Sequence, residues 1–307
     1  MRVIRYIAHK DINKMSWDQC VDNAVNQVVY AFSWYLDIVS PGWDALVLGN
    51  YEAIMPLPQK KRFTLSYLAQ PLFTQQLGVL YTDLEHMHAT NEFIAAIPEK
   101  FKLIELNLNT YNIPSHPLYS ITQNITCHLE LYPDYETLKS GYTKQIKRNI
   151  DKAEKNHLIT DEQITSEKIV ELFQSDRGKK IKNFKKKNTS ILLRLIDMMQ
   201  QRKIVTCLGV KNKSGQYISG AVFVVYHDVA IFLFSGTSTE GKQCGAMSLL
   251  IECFIKKHSK SPLLLDFEGS NNKNLLRFYQ GFGSKVVNYH AIRRNNLPKI
   301  IRWVKAP

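Results

Sequence analysis

Between Ile204 and Gly236 the sequence reads as three strands with almost nothing between them. IVTCLGV (204–210) and QYISGAVFVVY (216–226) flank the turn KNKSG, and His227-Asp228 turns the chain into VAIFLFSG (229–236). Two tight turns between three strands make an antiparallel meander. The segments that follow narrow the fold further. A glycine-containing loop, TSTEGKQCGA (237–246), opens an apolar helix, MSLLIECFIKKHSK (247–260). The near-continuous apolar strand PLLLDFE (262–268) comes next, and a short helix and a last strand close the chain.

Upstream of the meander the periodicity is helical. From about Tyr135 to Asn156, Leu138, Tyr142, Ile146, Ile150 and Ala153 form one apolar stripe. Lys144, Arg148, Lys152 and Lys155 form a basic ridge on the opposite face. Further helices are expected over 166–176 and 189–203. Between them lies RGKKIKNFKKKN (177–188), with seven basic residues and no acid. The first half is mixed: a helix over Ser16–Tyr35, strands over 44–50 and 51–58, a helix near 85–100 and strand-like pieces after it.

At 307 residues the chain has room for two domains. Hydrophobic residues at 45% exclude a disordered chain, and no apolar run is long enough to span a bilayer. The N-terminus lacks the apolar stretch of a signal peptide. Five cysteines without a CxxC pair fit a reduced cytoplasmic protein with neither a zinc site nor a disulfide framework. The net charge of +13 is unevenly spread. Residues 1–137 carry 9 basic and 14 acidic side chains, residues 138–307 carry 31 and 13. Such asymmetry reads either as a polyanion-binding half or as a solubility bias.

The order of helices, meander, glycine loop, helix, strand, short helix and strand resembles the GNAT N-acyltransferase fold. GNAT enzymes hold coenzyme A on a Q/R-x-x-G-x-G/A loop, where helix N–H groups face a pyrophosphate. The nearest match begins at Lys242 and continues through Gln243 to Gly245 and Ala246, with Met247 where a small residue is expected. NNKNLLRFYQGFG (271–283) resembles a second GNAT motif, with Asn272 seven residues before Tyr279. In many GNAT enzymes that tyrosine protonates the departing thiolate. A phenol suits the task, since its unperturbed pKa near ~10 keeps it protonated at neutral pH. The alternative is that Tyr279 is a core aromatic.

Three segments also resemble the Fem-type peptidoglycan aminoacyltransferases, a branch of the GNAT superfamily. They are YTKQIKRNIDKAEKNHL, FSGTSTEGKQCGAMSLLIECFIKK and LLLDFEGSNNKNLLRFYQGFG, in the family's order over 142–283. The lysine of the family's FK dipeptide is Tyr279 here, and Glu268 replaces the first glycine of its DFGG. The resemblance implies a bacterial α/β (α+β) protein of two tandem GNAT-like domains, each a mixed, mostly antiparallel sheet flanked by helices. Residues 1–137 would be a degenerate, acceptor-side domain. Residues 138–307 would hold the acyl donor, with the last strand packing back on the first domain.

Asp266 and Glu268, at the end of the apolar strand, are the candidate bases. Strand alternation puts both on one face with Phe267 on the other. His86 and His88 stand as HMH, a spacing that lets two strand residues share a metal, but no third ligand is evident and no metal site is expected. Cys244 has no signalled histidine partner and reads as incidental. The expected activity is N-acyl transfer from acetyl-CoA or another acyl-CoA, bound as cosubstrate, to an amine acceptor. Lys242, Gln243, Gly245, Ala246 and Asn272 would bind the donor, and Tyr279, Glu268 and Asp266 would be catalytic. Two alternatives remain open: tRNA-dependent aminoacyl transfer to a peptidoglycan precursor, and a GNAT-fold binding protein without chemistry.

Overall fold

The computed structural model of the chain describes residues 3–62, 65–178 and 186–298. It divides into two compact units, residues 1–125 with 288–307, and residues 126–287. The sequence reading placed the boundary at 137/138 and packed the last strand back on the first domain. The units divide twice, because one strand begins in the first unit and ends in the second, and the last strand carries the chain back. The charge follows this division. Residues 126–287 carry 26 basic and 16 acidic side chains, and the remainder 14 and 11. The surplus is therefore +10 on the second unit and +3 on the first.

The first unit contains β1 (Ile4–Ile7), α1 (Lys14–Asp22), α2 (Ser33–Val39), β2 (Asp44–Leu48), β3 (Ala53–Leu57), β4 (Gln59–Arg62), β5 (Leu65–Ala69), β6 (Leu80–Tyr81), α3 (Thr90–Ala95) and β7 (Phe101–Asn107). β1, β2, β3 and β6 form one antiparallel sheet. β4 pairs antiparallel with β5, and β5 pairs parallel with β7. Leu46, Met55, Leu68, Phe93, Phe101 and Ile104 centre its core. The single helix expected over 16–35 is two. Asn13 caps α1 by accepting from Met15 and Ser16 N–H. Asn26, buried, donates to Val79 O at 2.8 Å and accepts from Tyr81 N–H at 3.2 Å, so its side chain serves the tertiary structure and the backbone there leaves the helix. His86 closes a 3-10 turn (Leu84–His86), and His88 lies beyond it, so the two do not stand on a strand.

β8 (Ser120–Glu130) crosses into the second unit. There follow α4 (Tyr135–Ser140), α5 (Lys144–Lys155), β9 (Ile159–Asp161), α6 (Ser166–Phe173), α7 (Lys186–Gln201), β10 (Val205–Lys211), β11 (Tyr217–Tyr226), β12 (Val229–Thr237), α8 (Thr239–Cys244), α9 (Ala246–His258), β13 (Leu264–Asp266) and α10 (Lys273–Gln280). β14 (Lys285–Asn295) returns to the first unit, where it pairs antiparallel with β7. The meander is present as β10, β11 and β12. Within the second unit the strand order is β8-β13-β12-β11-β10-β9, antiparallel except for β12–β13.

The helix expected over 135–156 is broken in two. Asp134 caps α4, and Thr143 Oγ1 caps α5 by accepting from Ile146 N–H. Two caps nine residues apart divide the stripe, with Gly141 between them. Ile146, Ile150 and Ala153 of α5 are buried against α9, and Lys144, Arg148, Lys152 and Lys155 are exposed on its other face. Most of the basic run over 177–188 lies outside the described residues. Among the described residues no helix is long and apolar enough to cross a membrane.

Candidate functional site

The parallel strands β12 and β13 stay together only briefly. Their pairing covers Val229–Ile231 against Leu264–Asp266, yet β12 runs six residues further, to Thr237. Two features pull them apart. Val222 pairs with Phe234 and Phe223 with Phe232, so Leu233 is an extra residue in β12. Such a bulge bends its strand and raises the local twist. On the other side, β13 stops at Asp266 because the next backbone turns. Glu268 and Gly269 are both left-handed, at φ +51° and +58°. Asp266 Oδ1 accepts from Glu268 N–H at 2.9 Å, which fastens the turn.

This turn overturns the expected alternation. Asp266 and Phe267 are both buried and Glu268 is half-buried on the turn, so the carboxylates do not share a strand face. Asp266 has further partners. The Thr126 hydroxyl donates to its Oδ1, and His128 Nε2 lies 3.3 Å from its Oδ2. Two donors, the Thr126 hydroxyl and the Glu268 N–H, hold this carboxylate in place, with the His128 ring beside it.

The opening left by the parted strands is a cleft of about 330 Å³. Phe232, Ser235 and Thr237 of β12 form one wall, Leu275, Phe278 and Tyr279 of α10 another, and Lys242, Gly245, Met247 and Ser248 the end where α8 meets α9. Tyr279 is buried, with its ring stacked on Phe267 at 4.8 Å and edge-on to Phe232 at 6.1 Å. It is thus both a core aromatic and a cleft residue. A hydrogen-bonding phenol at the end of an apolar stack is fixed in direction.

The expected loop 237–246 is mostly the short helix α8, capped by Ser238 Oγ, which accepts from Gly241 N–H at 3.0 Å. Gly245 ends it at φ +78° and directly precedes α9. A Cβ on Gly245 would lie 2.2 Å from Asn149 O, so this glycine permits the backbone of α5 to approach. No side chain caps the first turn of α9, which leaves its leading N–H groups to other acceptors at the cleft.

Of the residues singled out from the sequence, Lys242, Gly245 and Tyr279 line this one cleft. Gln243 is exposed beside it, and Ala246 is buried in the core. Asn272 caps α10, accepting from Asn274 and Leu275 N–H. Glu268 and Asp266 stand at the end of β13, outside the lining. Sequence reasoning missed Asn149 and Ser248. Asn149 Nδ2 donates to Ser248 Oγ at 3.3 Å and Oδ1 accepts from Gln145 Nε2 at 2.9 Å, bringing α5 to the cleft. The i,i+4 spacing of Gln145 and Asn149 was visible, but their partner lies 99 residues away.

The first unit has a parallel pair too, β5 and β7, but there the pairing is continued. Gln70 N–H donates to Glu105 O at 2.9 Å, and Gln70 Oε1 accepts from Asn107 N–H at 3.0 Å. Asn107 Nδ2 donates to Gln75 O, and Leu77 N–H to Asn107 O. Side-chain amides fill the place that stands open between β12 and β13.

No protein-family model matches the chain, and no curated protein does. Solved structures do. The chain is similar to FemX at a TM-score of 0.65 and 12% identity, over 95% of this chain and 98% of that one. It is similar to the C-terminal domain of a putative lysylphosphatidylglycerol synthetase from Agrobacterium fabrum at 0.56 and 11%, over 92% and 93%. A tandem GNAT protein from the clavulanic acid biosynthesis pathway gives 0.52 and 10%, over 97% and 100%. At these identities the likeness is one of fold: the chain has the mixed α/β architecture of tandem GNAT-like proteins over nearly its whole length.

Proposed function

We propose that the chain is an N-acyltransferase that takes its acyl group from acyl-CoA in the cleft of the second unit. The observation that carries this reading is the parting of β12 and β13 after Ile231 and Asp266, with Lys242, the α9 N-terminus and Tyr279 around one opening. The uncapped first turn of α9 and the Lys242 ammonium suit the phosphates of the donor. Backbone N–H groups along the unpaired edge of β12 suit the thioester oxygen, whose charge grows as the amine attacks. Tyr279 then donates its proton to the leaving thiolate. Of the two carboxylates, Asp266 orients its neighbours and Glu268 sits on the turn that ends β13. The first unit, whose parallel strands are closed by Gln70 and Asn107, holds no donor in this reading.

A ligand of the folded state raises stability by RT ln(1 + [L]/Kd), about 2.7 kcal/mol at a hundredfold excess over Kd. Acetyl-CoA should therefore raise the melting temperature of the wild type. Lys242→Glu should weaken binding about tenfold, ~1.4 kcal/mol, because it sets a carboxylate against phosphate. Equal shifts for both proteins would remove Lys242 from the site.

The exposed basic face of α5 favours one second reading, in which the donor is an aminoacyl-tRNA. Salt-sensitive binding of aminoacyl-tRNA without any response to acyl-CoA would select it. Response to neither would leave a binding protein without this chemistry.

A further inference from the structure

The register across β12, β13 and β8 places a second feature at the point where the strands part. Ile231, Asp266 and His128 are cross-strand neighbours and so project from one face of the sheet. Their chain neighbours Ala230, Leu265 and Leu129 belong to the core on the other face, with Phe232 and Tyr279 of the cleft. Beyond the bulge, Phe234 and Gly236 lie on the Asp266 face, where Phe173 of α6 packs on Phe234 at 4.7 Å. The cleft therefore opens on the α9–α10 face, and the His128–Asp266 pair stands on the α6 face, at the root of the same gap.

We infer that His128 is the base that takes the proton from the acceptor amine, and that Asp266 is the residue that positions it. The inference rests on the acyl-donor reading of the cleft. His128 Nε2 lies 3.3 Å from Asp266 Oδ2; in this assignment the neutral ring keeps its proton on Nε2, beside the carboxylate, and its lone pair on Nδ1. Asp266 is itself fixed by the Thr126 hydroxyl and the Glu268 N–H, so the carboxylate beside the ring has a set position. The His128 side chain is 18% exposed, which admits an amine, directly or through one water. The other charged groups of the flanking strands, Glu130 and Lys285, are exposed, as are Glu167 and Glu171 of α6.

The step balances as follows. The protonated amine gives one proton to His128 Nδ1, and the imidazolium is held by Asp266. The amine nitrogen attacks the thioester carbon, its second proton is lost to solvent, and the C–S bond breaks. Tyr279 protonates the thiolate, solvent reprotonates the tyrosine, and the imidazolium gives its proton to solvent, which restores the base.

The test uses acetyl-CoA as donor and n-butylamine as acceptor probe, with thiol release as readout. In the wild type kcat/KM should fall at low pH as one group becomes protonated. His128→Gln should lower it at least a hundredfold and abolish that limb, while Glu130→Gln, an exposed change on the same strand, keeps both. Asp266→Asn should lower kcat and leave acetyl-CoA affinity unchanged, because the ring loses the carboxylate that positions it. Independently, ring-nitrogen NMR of the wild type should show the Nε2–H tautomer, with His128 resonances that shift on saturation with acetyl-CoA. Undiminished thiol release by His128→Gln, or resonances that stay put while acetyl-CoA binds, overturns the assignment. Failure of acetyl-CoA to bind at all counts instead against the donor reading.

Discussion

Replacing Tyr279 with Phe should lower thiol release from acetyl-CoA by about 10²–10⁴-fold, the usual worth of a positioned general acid. Acetyl-CoA affinity should change little. The substitution removes one hydroxyl and keeps the ring, so the stack on Phe267 at 4.8 Å and the edge contact with Phe232 persist. The split between turnover and binding is the informative part. A packing role alone would lower the melting temperature and leave turnover per folded molecule intact. A variant with full turnover would take Tyr279 out of the chemistry.

Gly245→Ala should cost the fold ~3 kcal/mol or more, from two sources of known size. A left-handed residue with a Cβ costs roughly 1–2 kcal/mol, and φ here is +78°. The new Cβ would also fall 2.2 Å from Asn149 O, a backbone atom of α5 that moves only if α5 moves. Overpacking of this kind costs about 1–3 kcal/mol. Gly215→Ala is the control. Gly215 has φ +76° and open space around its Cβ position, so only the backbone cost applies. Chemical denaturation of the two variants should separate them by the overpacking cost. Equal losses would show that α5 yields freely at Asn149. Because Asn149 and Gly245 both line the cleft, the destabilised protein should also bind acetyl-CoA less well.

The legible parts of this fold are those encoded locally. The meander was readable because apolar alternation and two short turns are confined to 33 residues. Lys242 and Tyr279 were readable because each sits in a short pattern, and both reach the cleft. What was hidden depends on distant contacts. The resemblance implied that the last strand returns to the first domain, but nothing in β14 itself names β7, some 180 residues earlier, as its partner. Gly245 was visible as a glycine, but its neighbour α5 was not, so a residue needed for helix approach read as room for phosphate. The carboxylates misled for a local reason: alternation was carried past Asp266, where the side chain turns the backbone through a left-handed Glu268. The following Gly269 was the available hint of a turn. His128 carried no motif at all, since its meaning comes from a cross-strand partner 138 residues away.

Amide hydrogen exchange with and without saturating acetyl-CoA puts the central claim to the most direct test. Binding in the parted strands of the second unit should slow exchange over 232–237 and 245–249. Exchange over 65–77 and 101–107 should stay as it is, since Gln70 and Asn107 already close that pair. Protection confined to the first unit, or none anywhere, would contradict the account.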